Sequence, residues 1–64
     1  MTVRELKKGD FFTKKPYENP TDMQVWIRGD YDRSSKRYSC YCWGDVNKEQ
    51  FLKGDKEVYT EFTF

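Results

Sequence analysis

The chain has 64 residues, is 36% apolar and 36% charged, carries a net charge of +1 and contains no histidine. That length makes one domain, residues 1–64, with a thin core that buries about 60% of the unfolded surface. Near-zero charge argues against a dedicated polybasic nucleic-acid binder, and no apolar run is long enough to span a membrane.

Five Phe, five Tyr and two Trp compensate for the low apolar content, because each ring buries on the order of 150–250 Å² when inside. The opening MTVRELKKGD has no apolar stretch, so no secretory leader is expected and the cytoplasm is the expected location. Leu6-Lys7-Lys8-Gly9-Asp10 and Leu52-Lys53-Gly54-Asp55 read as turns that feed strands. Glycine accepts positive φ and aspartate bonds nearby backbone amides. A strand is expected near Phe11 to Lys14. Lys14 to Asp22, with Pro16 and Pro20, reads as a loop folded over the domain.

Met23 to Asp32 and Lys36 to Gly44 read as the two arms of one long β-hairpin turning at Ser34-Ser35. With that turn, paired positions sum to about 69 by two-residue turn geometry. Trp26 then faces Trp43, Arg28 faces Tyr41, and Asp32 faces Arg37. Trp26, Arg28, Tyr41 and Trp43 share one face as an aromatic and basic platform. A register one residue different would instead put Tyr41 and Trp43 on the face of Val25 and Ile27. Gly29 is the natural place for a long strand to bend or bulge.

Asp45 offers an N-cap, and Val46 to Leu52 are expected to make one or two helical turns closed by Gly54. Glu57 to Phe64 alternates with period two and reads as the last strand. The expected fold class is all-β and mainly antiparallel. The expected form is a small twisted SH3-like barrel of four to five strands with one short helix or 3-10 turn before the last strand. An open antiparallel sheet with one packed helix (α+β) is the alternative.

Cys40 and Cys42 lie two apart in a strand, about 6.5–7 Å between Cα atoms, at or beyond the disulfide limit. They read as reduced thiols. Two cysteines without histidine fall short of a zinc ligand set, so no metal or other cofactor is expected. No acid–base histidine, nucleophile elbow or phosphate loop is present, so no catalytic residue is assigned and the chain is not expected to be an enzyme. Arg28-Gly29-Asp30 spells an adhesion tripeptide, but inside a strand rather than at a loop tip.

The function these features favour is a protein-interaction module on the aromatic and Arg face of the hairpin. Its partner would be another protein or a second copy. A weak single-stranded nucleic-acid binder is the second reading. There the rings would stack bases, and Arg33, Lys36, Arg37, Lys7 and Lys8 would meet phosphates. A structural domain with all aromatics in the core is the third.

The segments Leu6-Lys7-Lys8-Gly9-Asp10-Phe11-Phe12, Val25 to Arg33 (VWIRGDYDR), Tyr38-Ser39-Cys40 and Val58 to Phe64 cover most of the chain. In these it resembles a family of small uncharacterised bacterial proteins of gut anaerobes. That resemblance implies no activity, cofactor or catalytic residue.

Overall fold

A computed structural model describes residues 1–63. The fold class is the one expected: all-β and antiparallel. Four strands, β1 (Phe11–Phe12), β2 (Trp26–Asp32), β3 (Arg37–Cys42) and β4 (Glu49–Lys53), form one open sheet in the order β1-β2-β3-β4. The only helical elements among the described residues are two 3-10 turns, Val3–Glu5 and Asp22–Gln24.

The first Gly-Asp turn behaves as its residues dictate. Gly9 has φ 94°, and the Asp10 carboxylate accepts the Lys7 amide at 2.8 Å. Gly9 and Arg28 amides then bond the carbonyls of Arg28 and Asp10, leading β1 onto β2. The second copy of the motif uses its glycine differently. A Cβ on Gly54 would lie 2.9 Å from the Arg4 guanidinium, so Gly54 makes room for Arg4, whose amide donates to its carbonyl.

The first arm of the hairpin begins later than expected. Thr21 donates its amide to Gln24 Oε1 at 2.9 Å, and Gln24 returns an amide bond to the Thr21 carbonyl. These reciprocal bonds hold Asp22–Gln24 as a 3-10 turn, so β2 starts at Trp26. At the other end, Asp32 accepts from the Ser34 amide and from the Ser34 and Ser35 hydroxyls at 2.8–3.1 Å. The loop is residues 33–36, closed by Lys36 in the left-handed region at φ 57°. Four residues, like two, keep Asp32 opposite Arg37.

Those hydrogen bonds pull the Asp32 carboxyl below its ordinary 3.8. A carboxylate with a lowered folded pKa stabilises fully above its unfolded value and loses that contribution as pH falls through the folded one. Thermal stability is therefore expected to fall as pH drops below about 3.8. The Asp32→Asn variant should fall less steeply over the same range. Equal slopes for the two proteins in melts across this range would show that the loop bonds do not couple to folding.

Residues 46–52 are not helical. Asp45 serves a turn instead, its Oδ1 accepting the Asn47 amide at 3.1 Å and its carbonyl the Lys48 amide at 2.9 Å. Glu49–Lys53 then pairs with β3 along its whole length. The expected Val46 to Leu52 segment would make at most about two helical turns, which cannot stand alone in water, whereas the edge of β3 offered its residues a ladder to join.

The expected strand from Glu57 onward is reduced to two isolated bridges, Thr2 with Glu57 and Thr13 with Tyr59. Thr13 and Tyr59 exchange both amide bonds at 2.9 and 3.0 Å. The sheet stays open rather than closing into the expected barrel, and this segment ties the start of the chain at Thr2 and the residue after β1, Thr13, to the end of the chain. Phe64, the last residue of the expected strand, lies outside the described residues.

The core lies on one face of the sheet. Phe12, Trp26, Cys40 and Cys42 project from it and are covered by Val3 and Leu6 from the start of the chain and Val58 from its end. Tyr38 and Leu52 pack at the margin. Burial of these side chains at about 25 cal/mol per Å² is the main stabilising term in so small a domain.

Candidate functional site

The geometry of the site follows from one bulge in β2. Near the loop, Tyr31 pairs with Tyr38 and Asp32 with Arg37, in the expected register. Beyond the irregularity between Arg28 and Tyr31, the partners become Arg28 with Cys40, Ile27 with Tyr41 and Trp26 with Cys42. Gly29 and Asp30 together oppose Ser39, which defines a β-bulge. Glycine is required there: a Cβ on Gly29 would sit 2.7 Å from the Ser39 carbonyl oxygen.

This one-residue slip divides the expected platform between the two faces, because residues directly opposite in a sheet point the same way. Trp26 does not face Trp43, and Arg28 does not face Tyr41. Trp26 shares the core face with Cys42 and is only 8% exposed. Arg28 shares it with Cys40 and lays its guanidinium 4.3 Å from the centre of the Tyr38 ring, which Tyr31 flanks at 4.9 Å. The Arg28 Nε is buried with no hydrogen-bond partner among the described residues. Lys14 reaches over Trp26, its Nζ 4.0 Å from the ring centre, and bonds Gln50 Oε1. Burial, with Lys56 nearby, pushes the Lys14 ammonium below its ordinary pKa.

Tyr41 and Trp43 remain together on the outer face. Ile27 lies opposite Tyr41, and Phe11 opposite Ile27. The Phe11 and Trp43 rings meet edge to face at 5.5 Å. They are 41% and 45% exposed. Val25, whose carbonyl accepts the Trp43 amide, and Ile27 are buried yet stand apart from the main core cluster. The outer face thus carries its own small apolar group, with two large rings open to solvent above it. Phe51, opposite Ser39 on β4, continues the face and is 42% exposed.

The remaining sequence candidates sit elsewhere. Arg33, Lys36 and Arg37 are exposed at the hairpin tip. Trp43 lies six residue steps along the chain from Arg37, roughly 20 Å, so these cations and the outer rings do not converge. The Arg28-Gly29-Asp30 tripeptide is split: Arg28 turns inward onto Tyr38, and Asp30 pairs with Lys8 at 2.9 Å.

Both cysteines are free and fully buried. Burial raises the Cys40 thiol above its ordinary pKa. The Cys42 thiol donates to the Met23 carbonyl at 3.5 Å. No group of three or more His, Cys, Asp and Glu side chains converges among the described residues, and no helix there is long and apolar enough to cross a membrane.

A depression of about 410 Å³ lies between Pro16-Tyr17-Glu18 and the segment Glu57 to Glu61. It contains none of the binding residues expected from the sequence. Glu57 on its rim is already paired with the chain's amino terminus at 2.9 Å.

Phe11, Ile27 and Phe51 are the outer-face residues that sequence reasoning missed as candidates. Their pattern is visible only after the bulge is counted, since it is the slip at Gly29 that brings Ile27 into line with Tyr41. Compared with family models, curated proteins and solved structures, the chain matches none.

Proposed function

We propose that this domain is a non-enzymatic protein-interaction module whose outer sheet face receives apolar side chains of a protein partner at Phe11 and Trp43. The observation that carries the reading is the edge-to-face pair of these two rings, both more than two-fifths exposed, above the buried Val25 and Ile27. Isolated exposed apolar residues are ordinary on any surface. Two adjacent, partly exposed large rings seated on their own apolar group are less ordinary, because they present a contiguous apolar surface to water. Trp and Tyr also dominate interface hot spots, and rings already held by packing lose little entropy on binding. Tyr41 would border the contact, and Glu49, bonded to the Ser39 hydroxyl, would supply part of its polar rim.

Selection of a displayed peptide library on the intact protein tests this. The expected result is an enriched peptide family with apolar anchors whose binding drops about tenfold or more when Phe11 and Trp43 are both replaced by alanine. Binding should change little between low and high salt, whereas a nucleic-acid ligand would weaken steeply. Enriched peptides that bind the double variant equally well would exclude this face.

A further inference from the structure

We infer that β4 is a dimerisation edge that pairs antiparallel with β4 of a second copy, on a two-fold axis through Phe51. β4 ends the sheet order. The Cys42 amide bonds the Lys48 carbonyl, and with the observed register this fixes the alternation along β4. Gln50 and Leu52 turn their backbone groups toward β3, while Glu49, Phe51 and Lys53 turn theirs outward. Among the described residues no backbone group bonds the outward amides or carbonyls of Glu49 and Phe51. An open row of this kind is a template for another strand.

The side chains select a second copy as that strand. Centred on Phe51, antiparallel pairing sets Phe51 against the partner's Phe51 and Lys53 against the partner's Glu49, twice by symmetry. Lys53 needs such a neighbour. Within its own chain it lies opposite Arg37, a like-charge pair that is unfavourable across strands, and it makes no ion pair among the described residues. An acidic side chain on its free side offsets that repulsion.

The backbone fits the same register. Phe51 exchanges both amide bonds with the partner's Phe51, and the Lys53 amide donates to the carbonyl of the partner's Glu49. The Lys53 carbonyl already accepts the Lys56 amide, so it adds little. An axis perpendicular to the sheet keeps both outer faces on one side. The exposed Phe51 rings then lie at the seam of one continuous surface. This pairing needs no contact at Phe11 or Trp43, so it stands or falls separately from the proposed function.

Sedimentation of the intact protein across a concentration series is the test. The mass is expected to rise from 7.8 kDa toward twice that value. Lys53→Glu should weaken association about tenfold or more, since both symmetric pairs become repulsive. The combined Glu49→Lys, Lys53→Glu exchange should restore it. Amide hydrogen exchange supplies a readout independent of these variants. Protection of the Phe51 and Lys53 amides should grow with protein concentration, while the Gln50 and Leu52 amides, bonded to β3, stay protected throughout. A monomeric mass at every concentration up to about 1 mM, where even a weak association registers, would mean that Glu49 and Lys53 guard the edge, and would overturn the proposal. So would a dimer whose Phe51 and Lys53 amides exchange freely, or one abolished by Trp43→Ala.

Discussion

Replacing Trp26 with alanine is expected to cost about 3–5 kcal/mol, the range for removing a large aromatic side chain from a core. Trp26 is 8% exposed and packs with Phe12, Cys42, Val3 and Val58 in the main cluster. A domain of this size has a total stability of roughly 3–10 kcal/mol at typical per-residue values. The variant should therefore be largely unfolded in mild denaturant or near body temperature. Replacing Trp43, which is 45% exposed, with alanine should cost markedly less, its edge-to-face contact with Phe11 being worth about 1 kcal/mol. Urea unfolding of the two single variants measures the difference directly. Equal losses would mean that the two rings occupy equivalent environments, and the division of the hairpin into an inner and an outer face would be wrong.

The second large effect concerns the bulge. Gly29→Ala is expected to destabilise by about 1–3 kcal/mol, as forced overpacking does. The added methyl group would meet the Ser39 carbonyl at 2.7 Å, and a backbone atom cannot swing aside as a side-chain tip can. Either the bulge opens or the ladder on one side of it yields. If it yields by one residue, the Trp26 ring changes face. Trp26 would then become more accessible as well as the protein less stable. Two-state urea unfolding together with Trp26 emission reads both consequences. Unchanged stability in Gly29→Ala would show that glycine is not needed there, and that the slip has another cause.

These two positions explain how far the site was legible in the sequence. The hairpin, its turn and the pairing of Asp32 with Arg37 follow from Ser34-Ser35 flanked by β-rich arms. Gly29 is recognisable as a bend. What a bend does to pairing is not local information, because a glycine can curve a strand with or without adding a residue to one side. Only the approach of the Ser39 carbonyl decides that. The extra residue then carries Trp26 and Arg28 inward and leaves Tyr41 and Trp43 outside with Phe11. The candidate platform is thus half retained, with different neighbours.

Two other elements show tertiary pairing overriding local pattern. Glu49-Gln50-Phe51-Leu52-Lys53 is composed largely of good helix formers, and Asp45 and Gly54 bracket it as caps would. Yet Asp45 bonds Asn47 and Lys48 as a turn, and the exposed flank of β3 offers a full set of ladder bonds. Conversely, Val58 to Phe62 alternates as cleanly as any strand in the chain. Among the described residues this part of the chain pairs only singly, Glu57 with Thr2 and Tyr59 with Thr13, because neither neighbour is part of a longer extended run. A strand needs a neighbour of its own length, and alternation alone cannot supply one.

The most direct test of the account is acrylamide quenching of two single-tryptophan proteins, one carrying Trp26→Phe and the other Trp43→Phe. The protein retaining Trp43 should quench several times more efficiently than the one retaining Trp26, matching 45% against 8% exposure. Equal quenching, or stronger quenching of Trp26, would contradict the bulge-shifted register and with it the outer-face site.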